Sequence, residues 1–194
     1  MSAENVRRWP FILEASGVTI RPLRFRDRAL WDEVRAVNRE WLTPWEATLP
    51  QVPGEGVAGK LPTFFQKVSS HNREGRACRS LNLAIWYQGA LVGQISLGGI
   101  IFGALRGAHI GYWIDQRYAN QGITTKAVLM ITEYGFNELG LHRIEINLRP
   151  ENGASRRVAE KSGYILEGDR PKYLHIDGEW RDHICFVREN PKIT

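Results

Sequence analysis

An α+β architecture, a mixed α/β sandwich, is predicted for this chain by three observations. Helical patterns come first, a β-hairpin signature follows them, and from residue 108 onward strand and helix patterns alternate until two closing strands. A chain of 194 residues is long enough for one sizeable core, so one domain is expected: residues 1–17 as an N-terminal extension and 18–194 as a single domain.

The elements follow in order. Val18, Thr19 and Ile20 read as a short strand, placed at an edge or strand end by Pro22. Asp27 is a fair N-cap for a helix whose Leu30, Trp31, Val34, Val37 and Trp41 recur at helical spacing, and this helix should stop near Thr43 because Pro44 disfavours helical geometry before it. Residues 49–62, rich in proline and glycine, read as a loop. A helix from Thr63 carries Phe64, Phe65 and Val68 inward and fades at 72–75. Leu81, Leu83 and Ile85, a Gln88-Gly89 turn, and then Leu91, Gly93 and Ile95 describe the hairpin.

A further strand places Ala108, Ile110, Tyr112 and Ile114 on one face and His109, Gly111 and Trp113 on the other. The helix over 123–139 turns Ile123, Ala127, Met130, Ile131 and Tyr134 inward and ends at Gly140. Residues 141–149 set His142, Ile144, Ile146 and Leu148 against Arg143, Glu145, Asn147 and Arg149, one face core and the other polar. Asn152 or Ser155 opens a last helix through Lys161, capped by Gly163, and residues 164–166 and 184–187 read as closing strands joined through Tyr173 and an Asp177-Gly178 turn.

Composition excludes several classes. No apolar run approaches the roughly 20 residues of a membrane helix, and the first ten residues do not build a signal-peptide core, so a cytoplasmic protein with no membrane partner is expected. Cys78 and Cys185 stand far apart without metal-ligand spacing, and no metal is expected. The net charge of +5 invites a polyanionic partner, but most basic residues are interleaved with acids and no nucleic-acid motif is present.

The chemistry centres on residues 119–126, Ala-Asn-Gln-Gly-Ile-Thr-Thr-Lys, between the strand ending at Ile114 and the helix from Ile123. A small-residue turn there leaves backbone N–H groups aimed at one spot, where the helix dipole adds positive charge. This is an anion cradle or an ordinary strand-to-helix loop. Residues 149–155, Arg-Pro-Glu-Asn-Gly-Ala-Ser, and 158–164, Val-Ala-Glu-Lys-Ser-Gly-Tyr, add a helix opening with asparagine and serine about thirty residues downstream.

These two motifs resemble the GNAT N-acetyltransferase superfamily and, within it, the ribosomal-protein-alanine N-acetyltransferases of RimJ/RimL type. The first lies where that superfamily has [Gln/Arg]-x-x-Gly-x-[Gly/Ala]; Ala119 and Thr124 depart from the pattern. The second resembles its Asn-x-x-Ser, short helix and Gly-aromatic. Residues 41–45, 110–114 and 177–183 extend the likeness over nearly the whole chain from Val18. The resemblance implies a GNAT fold: a mainly antiparallel mixed sheet flanked by helices, with two adjacent parallel strands splayed to bind acetyl-CoA.

The resemblance also implies the site. Asn120, Gln121, Gly122, Ile123, Thr124 and Thr125 would hold the pyrophosphate of acetyl-CoA, the backbone amides donating whatever the side chains. Tyr112, Trp113 and Ile114 would present a backbone N–H to the thioester carbonyl. Asn152 would hold the pantetheine or the helix entry, and Arg157, with Arg156, the outer phosphate. Ser155, at the first turn of its helix, is the candidate to reach the cofactor sulfur, or else a simple helix cap. Asn147 stands where some relatives have a glutamate base and can position a water; Glu145 is the nearest carboxylate on that face. His109 is a titratable alternative. Trp41, Trp45, His109 and Tyr173 are expected to line the acceptor site.

The expected activity is direct acetyl transfer to an N-terminal α-amine, alanine or serine of a ribosomal protein. Alternatives are a small amine, such as a polyamine or antibiotic, as acceptor, and a non-enzymatic acyl-CoA-binding module. A monomer or a homodimer is expected.

Overall fold

Apolar alternation with period two builds the sheet, and helical periodicity supplies the layers that cover it. The computed structural model describes residues 9–54 and 62–193; part of the Pro/Gly-rich loop, 55–61, lies outside the described residues. The strands are β1 (Leu13–Ala15), β2 (Val18–Arg21), β3 (Leu81–Tyr87), β4 (Ala90–Ile101), β5 (Gly107–Ile114), β6 (Arg143–Leu148), β7 (Ile165–Ile176) and β8 (Glu179–Glu189). They form one sheet in the order β1-β2-β3-β4-β5-β6-β8-β7. All neighbours run antiparallel except β5 and β6, which are parallel.

The helices are α1 (Arg28–Val37), α2 (Arg39–Leu42), α3 (Phe64–Arg76), α4 (Ile123–Asn137) and α5 (Gly153–Lys161). The larger core lies between the sheet and α4, joining Ile20, Leu83, Ile85, Ile95, Leu97 and Ile110 to Ile123, Ala127 and Ile131. A smaller one on the opposite face packs Trp31 and Val34 of α1 and Val68 of α3 against Ala84 and Leu91. Burying each such aliphatic side chain contributes roughly 1.5–3 kcal/mol. Among the described residues no helix is long and apolar enough to cross a membrane.

The structure departs from the sequence reading in four places. The described part of the N-terminal extension joins the sheet: β1 pairs with β2 through a turn at Ser16 and Gly17, both at positive φ. Phe11 stacks on Tyr134 at 4.1 Å, and Trp9 lies so close over α3 that a Cβ on Gly75 would meet its ring at 2.4 Å.

The expected single helix to Thr43 is broken at Asn38. The buried amide of Asn38 donates to Val34 O and accepts from Gln116 N, so the chain bends to serve the loop after β5. Leu30 and Val37 are consequently exposed, although Asp27 does occupy the N-cap position of α1. Its carboxylate accepts from Arg24 N and forks onto Arg21.

Phe65 is also exposed, meeting Phe25 edge-on at 5.5 Å, while α3 starts at Thr63 as expected, in a capping box that Thr63 makes with Gln66. The closing strands form a long hairpin, β7 and β8, in place of two short segments. Register shifts near Gly168 and between Arg170 and Leu174 obscure its period in the sequence.

Candidate active site

The feature that positions the site is the parting of β5 from β6. Their parallel pairing runs from Gly107↔Arg143 to Ile110↔Ile146 and then stops, while β5 continues to Ile114 on its other neighbour, β4. Asp115 N donates to β4, at Val92 O, so by alternation the amides of Tyr112 and Ile114 face the gap. Trp41 reaches the same gap, its Nε1 donating to Ile114 O at 3.1 Å. A cavity of about 530 Å³ opens there.

One end of the cavity is the cradle. Asp115 is fully buried and paired with Arg117, and its Oδ1 also accepts from Arg117 N at 2.9 Å, which fixes the turn after β5. Asn120 and Gly122 then take positive φ, 59° and 74°, and Gly122 caps α4. The first bond of this helix is from Lys126 N to Gly122 O, so the amides of Ile123, Thr124 and Thr125 have no acceptor within the helix. Open space surrounds the position a Gly122 Cβ would take. Three free amides, a helix N-terminus and room beside them fit a pyrophosphate. Thr124 is buried at the cavity wall, while Arg157 is exposed at its rim.

The other wall is α5. Asn152 Oδ1 accepts from Ser155 N at 2.9 Å, a proper N-cap that fixes the first turn. Ser155 Oγ lies 2.7 Å from the hydroxyl of Tyr112, which comes across the gap from β5 and also donates to Ser155 O at 3.2 Å. Burial pushes the Tyr112 phenol well above its ordinary pKa, outweighing the opposing effect of the Ser155 hydrogen bond. It therefore stays a neutral donor at any working pH. The sequence reading placed Tyr112 through its backbone and missed the hydroxyl pair. The signal was present, since Tyr112 shares a strand face with Ile110 and Ile114, the face that packs toward the helices carrying the cofactor motifs.

Trp41 and Trp45 line the same cavity with Glu151. Arg149 ties this wall together: it donates to Pro44 O at 2.9 Å, stacks 5.3 Å over the Trp45 ring and pairs with Glu151. The role of Arg149 was not read from the sequence, because it depends on contacts about a hundred residues apart.

Five expected residues are not among those lining the cavity, the first of them Arg156, which is exposed and pairs with Glu160 along α5. Asn147 sits on β6 one step beyond its last pairing with β5, with Oδ1 buried and unpartnered. Glu145 and His109 are opposite one another in the paired part of the sheet, before the gap opens. Glu145 is held by Arg143 at 3.0 Å and Arg170 at 2.7 Å. Burial would raise its pKa, but these arginines outweigh it and keep it ionised and engaged. His109 packs under the Gly98-Gly99 bulge of β4, where burial lowers its pKa. Tyr173 lies over His183 at 5.6 Å, its hydroxyl accepting from Arg170.

Glu145, Glu167 and Cys185 bring ligand atoms within 4.8 Å of one another. Both carboxylates are already paired with arginine, and burial pushes the thiol up to about 11, so this donor set suits arginine and not a metal.

A mixed sheet parted between two parallel strands, with an anion cradle at one mouth and a helix-borne serine on the wall, defines the class of transferases that work on acyl thioesters of coenzyme A. Comparison with known proteins agrees. The family described as acetyltransferase (GNAT) domain matches residues 18–165. Over 186 residues, covering 94% of this chain and 92% of the relative, the sequence is 25% identical to the [Ribosomal protein uS5]-alanine N-acetyltransferase of Escherichia coli. It is 46% identical over 101 residues to the Probable N-acetyltransferase YjcK of Bacillus subtilis, a match spanning 52% of this chain and 56% of that protein. The structure of Mycobacterium smegmatis RimJ in complex with CoA-disulfide superposes with a TM-score of 0.84 at 35% identity, covering 95% of this chain and 90% of that one. The chain belongs to the GNAT acetyltransferase family.

Proposed function

We infer that this protein acetylates the N-terminal α-amine of a protein, with alanine or serine of a ribosomal protein as the acceptor residue. The observation that carries the reading is the Tyr112–Ser155 hydroxyl pair across the gap, on the same cavity as the Gly122 cradle. Likeness to relatives named for ribosomal-protein alanine acetylation supports the acceptor class. The domain is taken as residues 18–194, with β1 as an added edge strand.

Bound acetyl-CoA supplies an acetyl group activated as a thioester. The amides of Ile123, Thr124 and Thr125 hold its pyrophosphate, and the gap-facing amides of Tyr112 and Ile114 are placed to receive the carbonyl oxygen. Ser155 stands at the N-terminus of α5, where developing negative charge is favoured, and the hydroxyl pair it forms with Tyr112 relays to the departing thiolate the proton that the amine loses as its C–N bond forms and the C–S bond breaks. Trp41 and Trp45 wall the acceptor approach.

Asn147 cannot ionise, but its buried Oδ1 accepts a hydrogen bond from an incoming amine or its water. An α-amine suits such a site because its pKa lies near 8, so a useful neutral fraction exists without a strong base. Purified protein given acetyl-CoA and a panel of N-terminal peptides is expected to release free thiol. A panel that stays silent while polyamines or aminoglycosides react would replace the acceptor class.

A further inference from the structure

Buried polar side-chain atoms without a partner are rare, and each asks for an explanation. Among the described residues there are six, and three of them belong to one strip of the molecule: Asn147 Oδ1, Arg149 Nε and Arg181 Nε. Asn147 lies on the side of β6 away from the buried Ile146 and Leu148, and Arg149 follows two residues on, just past the end of the strand. Asn147 is paired with Cys185 of β8, and Arg181 stands four residues from Cys185 on the same side of that strand. The strip begins where β6 leaves β5, and Arg149 joins it to the cavity wall through Trp45 and Glu151.

The three orphans are one acceptor and two cationic donors. Arg149 Nε lies 3.4 Å from Glu151 Oε2 without making a hydrogen bond, and Arg181 places NH1 on Glu179 at 3.0 Å while its Nε is left over. A ligand that completes all three must donate at one end and accept at the other. A peptide N-terminus does so, with its amine beside a carbonyl one residue long. A polyamine does not, because it offers only cationic donors to two guanidinium groups.

We propose that Arg149 and Arg181 are specificity residues that hold the first carbonyl oxygen of the acceptor while its amine meets Asn147. The acceptor must therefore carry an oxygen next to the amine, as an α-aminoacyl group does. This proposal rests on the acceptor reading given above and sharpens it. Glu151, drawn below the usual carboxylate range first by a backbone hydrogen bond and further by both arginines, supplies the countercharge that lets the pair stand in one place without a ligand.

The test compares a tetrapeptide amide carrying a free N-terminal alanine with the isosteric amine in which the first carbonyl is reduced to methylene, and with spermidine. Wild-type protein is expected to prefer the peptide over the reduced analogue in kcat/KM by tenfold or more, the scale of a charge-assisted hydrogen bond. Arg181→Gln should collapse that preference toward unity, mainly through KM, and Arg181→Lys should restore part of it. Arg149→Lys is the second variant, because Arg149 also holds Pro44. Calorimetric titration of the CoA-loaded protein with the same two ligands reads the preference without turnover.

If wild-type protein acetylates spermidine as well as the peptide, the acceptor reading itself is wrong. If the peptide alone is acetylated and Arg181→Gln leaves its preference over the reduced analogue unchanged, the acceptor reading stands and the carbonyl assignment is overturned.

Discussion

The two sides of the gap are built in different ways. The donor side is made of backbone: two residues at positive φ, three amides at the start of α4 and an asparagine cap on α5, each fixed by neighbours a few residues away. The acceptor side is made of long side chains gathered from distant parts of the chain: Trp41 on Ile114, and Arg149 on Pro44 and Trp45. Backbone sites bind a cofactor shared by many enzymes, and side-chain walls are free to change with the acceptor. Mutations should therefore separate the two sides.

The largest separation is expected at Gly122. Its φ of 74° makes any side chain strained, by about 1–2 kcal/mol, and a carboxylate there would face the phosphates. Gly122→Glu should weaken acetyl-CoA binding by more than a hundredfold in calorimetry, whereas Gly122→Ala, strained but uncharged, should lose far less. Equal losses would mean that strain, and not charge in the cradle, is responsible.

Next comes the hydroxyl pair. Ser155→Ala should lower kcat about a hundredfold with little change in acetyl-CoA affinity, and adding Tyr112→Phe should cost much less than its effect alone, because the two act as one unit. Full additivity in stopped-flow measurements would break the pair into unrelated residues.

Trp45→Ala probes the opposite wall. It should raise KM for a peptide acceptor about tenfold, the scale of a lost aromatic contact surface, with a smaller change for acetyl-CoA. A larger effect on acetyl-CoA would place Trp45 on the donor side.

The smallest expected effect concerns stability and separates the layers behind the two sides. His71 on α3 has a buried Nδ1 without a partner, and burial, with Lys67 adding, pulls its pKa down to about 4. In the unfolded chain it titrates near 6.5, so acid protonates the unfolded state first. Stability should be complete above pH 6.5 and fall by up to about 2 kcal/mol between pH 6.5 and 4. His71→Gln should flatten this slope in urea titrations. Hydrogen exchange should place the acid loosening in α3 and leave α4 protected.

The same contrast explains what could be read in advance. The hairpin of β3 and β4, the alternation of β5 and β6, the start of α4 and the cap at Asn152 all follow from period, turn chemistry and short motifs. The break at Asn38 did not, because its cause is a hydrogen bond to Gln116, far along the chain. β1 was hidden because three residues give too little alternation, and its place is fixed by Trp9 and Phe11 reaching distant helices. The cradle residues and Ser155, each singled out by a short motif, line one cavity. Glu145 was drawn to the gap by its face alone; its position along β6, two residues before Asn147, leaves it in the paired sheet among arginines. Arg149 and Arg181 left no local signature, since their meaning lies in which strands meet.

One measurement tests the account most directly. A peptide carrying both an N-terminal alanine and an internal lysine is incubated with the protein and acetyl-CoA, and fragment-ion mass spectrometry locates the acetyl group. The account predicts acetylation of the α-amine, with the lysine left free. Acetyl on the lysine, or an unmodified peptide alongside an acetylated small amine, would contradict it.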